Sequence, residues 1–379
     1  MDVQGATTSY GCMSAARVAF RVDASLIIGT GHVMRCLTLA GSLRALGCAV
    51  FFISREHPGN LTEIVRAAGF PVRILPGCHR EEPPLPHPST SHLSWLGADW
   101  ALDAQQTQVA LGAGSVDWLV VDHYGLDARW ESQLQSSCRH LMVVDDLADR
   151  PHSCTVLLDQ NLGRSPQDYS SLVPASCRLL VGPQFALLRP DFAARRALGV
   201  VRRYGGEAPR ILIAMGGVDR DNITTRMLNA LAHRGLPEGS TISVVLGVHA
   251  PWSRIVEEMA AKMPCATRVL VGVSNMADLV ADSDIAIGAA GGSAWERCCL
   301  GLPTLMMVLA DNQRDGASAL VKAGAALLLD NDFSDGDFAG KLSQILCPEQ
   351  HAAMREACLQ ITDGSGADRM ARIIADNDV

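Results

Sequence analysis

The sequence lacks the marks of several large function classes. Its 12 cysteines never fall as a Cys-x-x-Cys pair or in a Cys/His cluster at zinc spacing, so neither a zinc module nor a disulfide scaffold is indicated. Reduced thiols in a cytoplasmic protein account for them, several buried as small hydrophobes. Positive charge is also short: 32 Lys and Arg stand against 40 Asp and Glu, a formal net charge of -8. That balance excludes a broad basic surface for nucleic acid or anionic lipid, and any phosphate must be met locally. No apolar run reaches the length of a membrane span, and Met1 to Ala16 lacks the basic start and continuous apolar core of a signal peptide. The glycine turns include neither Gly-x-Gly-x-x-Gly with its distant acid nor Gly-x-x-x-x-Gly-Lys-[Ser/Thr], which removes the best support for nicotinamide and ATP sites. His79, His87 and His92 fall in a proline-interrupted stretch from Gly77 to Ser94, without regular spacing or an accompanying carboxylate pattern. The stretch reads as a surface excursion, not a metal site.

What is present is a rhythm of short apolar strands and amphipathic helices, the pattern of parallel sheets covered on both faces. At 379 residues and 48% hydrophobic, the chain has room for two such domains. In the first half the strands are expected at Val18 to Val22, Ala49 to Ser54, Val72 to Leu75, Trp118 to Asp122 and Leu141 to Asp145. A crossover is expected between Leu179 and Ala208. The second half restarts at Arg210 and continues with Thr241 to Leu246, Arg268 to Val271, Ile285 to Ile287, Thr304 to Met307 and Ala326 to Leu328. The division is an extension at 1–16, a first domain at 17–190, a linker at 191–208, a second domain at 209–345 and closing helices at 346–379 that can return to the first domain.

Chemistry-bearing residues gather at the turns after these strands, where open parallel sheets collect their ligands. Arg21 to Arg35 places Asp23, Gly29, Gly31, His32 and Arg35 between the first strand and a helix that stops near Gly47. Asp122 and Asp146 follow later strands, where they are site candidates or helix caps. Gly291-Gly292-Ser293 opens another helix, and backbone N–H groups there can hold a phosphate. Ser293 and Glu296 also have capping-box spacing, while Glu296 can accept ribose hydroxyls. Gly216-Gly217, with Asp219, is a weaker version of the same turn, and Asn312 and Gln313 can read a base or sugar hydroxyls without charge.

Taken in order, Arg21-Val22-Asp23-Ala24-Ser25, Gly29-Thr30-Gly31-His32-Val33-Met34-Arg35, Phe52-Ile53-Ser54-Arg55, Trp95-Leu96-Gly97, Val121-Asp122-His123-Tyr124, Asp145-Asp146-Leu147-Ala148, Met215-Gly216-Gly217 and the Gly291 to Glu296 turn resemble the pseudaminic-acid pathway hydrolase family. The resemblance runs from about Val18 to Ile345. It implies two Rossmann-like domains facing a cleft, the glycosyltransferase B arrangement. It also implies release of UDP from UDP-2,4-diacetamido-2,4,6-trideoxy-β-L-altropyranose without metal or cofactor, with UDP on the second domain and sugar on the first. In that family the position of His32 is the leading catalytic candidate and that of Glu296 holds the ribose. Asp23 is then available to orient His32 or to bind a sugar amide, and Tyr124 to line the sugar pocket. A glycosyltransferase of the same fold and a catalytically silent sugar-nucleotide-binding protein are the rival readings; the first needs an acceptor site, the second does not need His32.

Overall fold

Val, Ile and Leu dominate the strands because each strand is covered on both faces, and β-branched side chains pack well on a pleated surface. The computed structural model describes residues 15–77, 92–198 and 204–377. Its first sheet contains β1 (Arg17–Val22), β2 (Ala49–Arg55), β3 (Val72–Leu75), β4 (Val116–Asp122), β5 (Cys138–Val144), β6 (Val156–Asp159) and β7 (Arg178–Val181). The second contains β8 (Arg210–Ala214), β9 (Thr241–Leu246), β10 (Ala266–Val271), β11 (Ile285–Ala289), β12 (Thr304–Met307) and β13 (Ala326–Leu328). Strand orders are 3-2-1-4-5-6-7 and 10-9-8-11-12-13, and neighbouring strands pair in parallel throughout both sheets.

Helices α1 (Gly31–Ala45), α2 (Thr62–Ala67), α3 (Trp100–Leu111) and α4 (Ala128–Leu134) belong to the first half. After α5 (Pro190–Ala197) come α6 (Ile223–Arg234), α7 (Ser253–Ala260), α8 (Met276–Ala281), α9 (Ser293–Cys299), α10 (Arg314–Lys322) and α11 (Asp335–Ile345), then α12 (Pro348–Ile361) and α13 (Gly366–Ala375). In each sheet the order reverses beside its first strand, at β1–β4 and β8–β11, which is where a crevice opens.

Two stretches differ from the sequence reading. Val156–Asp159 was not expected as a strand, and Arg178–Val181 forms β7 where the crossover was expected to begin. Only four residues long each, both are secured by neighbours: β6 pairs with β5 and β7 with β6. The stretch assigned as a linker carries α5. His79 and His87, most of the proline-interrupted stretch and Met1 to Ser14 lie outside the described residues.

Alternation along β1 separates two cores. Val18, Phe20 and Val22 face one side, with Val33, Cys36, Leu39 and Leu43 of α1, while Ala19 faces the other with Ala104 of α3 and Trp130 of α4. The last helix joins the first of these cores: Ala367, Met370, Ala371 and Ile374 of α13 are buried there, and Ser42 Oγ donates to Asp368 at 2.8 Å. Gly366 permits this return, since a Cβ there would lie 2.3 Å from the Ala186 carbonyl oxygen. Among the described residues no helix is long and apolar enough to cross a membrane.

Candidate functional site

The same alternation decides which carboxylate serves which imidazole. Val22 pairs with Asp122 in the β1–β4 ladder, and Val120, two residues before Asp122, lies in the core shared with α1. Asp122 therefore faces α1, where His32, Arg35 and Cys36 stand on one helix face at i, i+3 and i+4. His32 Nδ1 lies 2.6 Å from Asp122 Oδ1, and Arg35 forks onto the same carboxylate, Nε to Oδ2 and Nη2 to Oδ1, both at 2.6 Å. Burial alone would raise the Asp122 carboxyl; the Arg35 guanidinium, then His32, hold it well below the usual carboxylate range. An ionised carboxylate only accepts, so the shared proton sits on His32 Nδ1, and in the neutral ring this is the tautomer whose Nε2 carries the lone pair. Nε2 has no partner among the described residues.

Around this pair the remaining contacts fix orientation. Arg35 Nη1 donates to Asp146 Oδ2 at 2.6 Å, and the Tyr124 hydroxyl donates to the same oxygen at 2.6 Å. The Tyr124 ring stands edge-on to His32, centroids 4.6 Å apart, and Trp95 stacks on Tyr124 at 5.5 Å. Asp122 and Asp146 thus hold side chains; they do not cap helices.

Asp23 is placed elsewhere, which corrects the expectation that it orients His32. One residue beyond Val22, it points to the opposite face of the sheet. Its Oδ1 accepts from Arg21 Nη1 and from the Arg55 backbone N–H, both at 2.7 Å, while Oδ2 lies 3.4 Å from His123 Nε2 and 3.7 Å from His57 Nε2. Arg21 and Arg55 also meet Asp103 at 2.6 Å, and Trp130 donates to it at 3.0 Å. These are fully buried ions under the site. Burial pushes the His123 imidazole down to about 3, so it is neutral, and its Nδ1 accepts from the Gly125 N–H at 3.0 Å.

Between β1 and α1 the chain makes a tight turn. Ser25 Oγ accepts from the N–H groups of Ile27 and Ile28, Gly29 N–H donates to the Ser25 carbonyl at 2.8 Å, and Gly29 has φ +83°, a left-handed conformation suited to glycine. Leu26 and Ile27 are left exposed. Gly31 at the start of α1 has open space where a side chain would stand.

Across the cleft, Gly217 lies so near this turn that a Cβ on it would come within 2.9 Å of Thr30 Oγ1. Gly216, at φ +93°, turns the chain out of β8. The start of α6 is already filled: Asp219 accepts from the N–H groups of Ile223 and Thr224 at 2.9 and 3.0 Å. The start of α9 is different. Gly292 occupies the N-cap position with no side-chain cap, and the expected Ser293–Glu296 capping box does not form because Ser293 is already helical. Ser293 Oγ instead accepts from Arg297 Nη1 at 3.1 Å. The N–H groups of Gly291, Gly292 and Ser293 precede any intrahelical acceptor, and nothing lies within 4 Å of where a Gly292 Cβ would be. Beneath them Arg297, 1% exposed, donates to Ala289 O, Ser293 Oγ and Thr304 Oγ1, all neutral.

Glu296 is half-buried 3.7 Å from Arg189 Nη2, and burial raises its carboxyl against the pull of Arg189 and Arg297. Gln313 is held toward Gly291, its Oε1 accepting from Leu309 N–H at 2.9 Å, whereas Asn312 is exposed and bonded to no described group. A cavity of about 300 Å³ joins the two sides, lined by Leu26, Gly29 and Thr30 on one and Gly217, Asp219 and Gln313 on the other.

No family model matches the chain. It is 24% identical over 310 residues to the UDP-2,4-diacetamido-2,4,6-trideoxy-beta-L-altropyranose hydrolase of Campylobacter jejuni, spanning 81% of this chain and 97% of the relative. A match to the spore coat polysaccharide biosynthesis protein SpsG of Bacillus subtilis has 26% identity over 207 residues, 54% of this chain and 60% of that protein. Among solved structures, Acinetobacter baumannii MurG superposes with a TM-score of 0.64 at 16% identity, covering 95% of this chain and 99% of that one. The fold is glycosyltransferase B. The resemblance to the Campylobacter hydrolase stands beside it.

Within that fold the sequence-selected residues divide cleanly. His32, Arg35, Tyr124, Gly29 and Gly31 gather on the first domain's edge, and Gly216, Gly217, Gly291, Gly292, Ser293, Glu296 and Gln313 on the second's. Asp23 lies below, in the buried ion network. Of the two readings of Asp122 and Asp146, the contacts favour the site, where both are positioning groups, and they add Arg297 as a buried cation and Trp95 as a wall. Strand parity was the signal that could have separated Asp122 from Asp23.

Proposed function

We propose that the protein hydrolyses a UDP-linked 2,4-diacetamido-2,4,6-trideoxyhexose, UDP-2,4-diacetamido-2,4,6-trideoxy-β-L-altropyranose, to the free sugar and UDP. The observation that carries this reading is the His32–Asp122–Arg35 arrangement: an imidazole whose Nδ1 is held by an ionised carboxylate and whose Nε2 is left to accept a proton. In the proposed step, water attacks the anomeric carbon, His32 Nε2 takes its proton, and the bond from that carbon to the UDP oxygen breaks. General-base help of this kind is worth on the order of 10²–10⁴ in rate. Asp122 keeps the imidazole in the accepting tautomer and stabilises the imidazolium that forms.

The leaving diphosphate is met by the N–H groups of Gly291, Gly292 and Ser293, oriented in advance where its charge develops, with Arg297 below them. Glu296 accepts the ribose hydroxyls, Asn312 and Gln313 lie beside the nucleotide, and Gly29 and Gly31 allow the sugar close to the backbone. Metal takes no part in this scheme.

Incubating purified protein with the UDP-sugar alone and following UDP tests it. Release is expected without an acceptor and in the presence of chelator. In ¹⁸O-water the label should enter the sugar, not UDP. Release only when an acceptor is added would replace hydrolase by transferase on the same fold.

A further inference from the structure

One aromatic group beside His32 takes no part in the hydrolysis as written. Trp95 lies in the short helical turn Leu93–Leu96. It stacks on Tyr124 with ring planes 24° apart, stands edge-on to His92 at 4.6 Å, and has its centroid 6.2 Å from that of His32. Tyr124 backs it rigidly, since its hydroxyl is committed to Asp146. The turn is seated closely, because a Cβ on Gly97 would come within 2.6 Å of His57 Cε1. Trp95 itself is half-buried, and its indole N–H has no acceptor among the described residues. A held indole offers an apolar face and one hydrogen-bond donor that is open to a ligand.

Of the substituents on the proposed sugar, an acetamido group meets both features at once, its methyl on the face and its carbonyl oxygen on the donor; a hydroxyl accepts the N–H but brings no methyl, and an ammonium has no lone pair to accept it. We propose that Trp95 sets specificity by receiving one acetamido group of the sugar, its face against the methyl and its Nε1–H donating to the carbonyl oxygen. This rests on the reading of the site as one that holds a UDP-sugar, and not on hydrolysis.

The test measures equilibrium binding in a His32→Ala background, so that substrate survives. The ligands are UDP, the diacetamido UDP-sugar and its two counterparts with a free amine in place of one acetamido group. One of the two amines should bind about 10-fold more weakly than the diacetamido sugar, the scale expected for losing a well-placed apolar and hydrogen-bonded group. Trp95→Ala should cut that ratio to below about 3-fold and Trp95→Phe should leave it intermediate, with UDP affinity held within about 2-fold in both. Equal binding of all three sugars, or a ratio untouched by both substitutions, overturns the proposal. If Trp95→Ala loses UDP binding as well, Trp95→Phe decides alone: a reduced ratio supports the indole N–H contact and an unchanged one overturns it. Failure of the native protein to release UDP would end the hydrolase reading and leave the acetamido preference standing.

Discussion

The two sheets present their carboxyl edges to one cleft, yet they are built from opposite materials. On the first, Asp23, Asp103, Asp122, Asp145 and Asp159 are buried with Arg21 and Arg55, and nearly every charge is tied to another. On the second, the turn after β11 offers glycines and free N–H groups, with the buried cation Arg297 beneath. Buried ion networks cost desolvation and return fixed geometry, which suits an edge that must aim an imidazole. Backbone N–H groups need no counter-ion and stay ready for an anion that comes and goes. The first edge is therefore made for aim and the second for reception.

The largest expected effects fall on the aiming side. His32→Ala should lower turnover on the order of 10²–10⁴-fold, measured as UDP release. Asp122→Asn should approach that loss, because an amide no longer selects the accepting tautomer. Asp23→Asn sharpens the contrast. Breaking one partner of a buried ion network costs about 3–5 kcal/mol, so urea unfolding should shift strongly while turnover per folded molecule falls far less than in Asp122→Asn. Equal losses of turnover in the two Asn variants would mean that Asp23 acts on the chemistry after all.

This pair also marks how far the sequence could be read. Glycine turns after apolar strands were legible, because the turn at Gly29 needs positive φ and the start of α9 needs room. Which aspartate meets His32 depends on a one-residue difference in strand parity across two chain segments about a hundred residues apart, visible only once β1 and β4 are in register. The Ser293 to Glu296 spacing suggests a cap because it sets the helix start one residue too late, at Ala294 instead of Ser293. Arg297 carried no signal, since nothing local says that an arginine in a short helix will be buried against neutral acceptors. β6 and β7, four residues each, are held by pairing more than by their own pattern.

Effects on the receiving side should be smaller and appear in binding. Gly292 has φ −53°, compatible with proline, and open space at Cβ, so Gly292→Pro removes one N–H without strain while Gly292→Ala keeps it. Losing a hydrogen bond to a charged group costs about 1.5–3 kcal/mol, so calorimetry should show UDP bound roughly 10- to 100-fold more weakly by the proline variant and unchanged by the alanine one. Equal affinity in both would move the diphosphate away from this turn. Glu296→Gln should weaken UDP by about 10-fold. Because burial raises the Glu296 carboxyl, native affinity should begin to fall at a higher pH on acidification than an ordinary glutamate would cause, and the Gln variant should lack that component.

A last contrast separates the edges through stability and leaves the chemistry untouched. The Tyr169 hydroxyl lies 2.9 Å from both Asp145 Oδ2 and Asp159 Oδ2, and its one proton can serve only one of them. Burial, and then the Asp146 charge, push Asp159 up to about 7 against the hydrogen bonds it accepts from the Asn161 N–H and the Tyr169 hydroxyl; Arg164 Nε lies 3.3 Å from its Oδ2. Protonated Asp159 can donate to the Tyr169 oxygen, which then donates to Asp145, satisfying all three. Since an unfolded aspartate titrates near about 3.9, the folded state holds a proton that the unfolded chain has released. The resulting stabilisation is full below that value and is lost as pH rises toward about 7. Asp159→Asn keeps a neutral donor for Tyr169 and should flatten this decline. Urea midpoints of the two proteins compared across this range should converge at the acid end and separate above it, the variant the more stable. Parallel curves would show that Asp159 is ionised throughout and that Arg164 outweighs its burial.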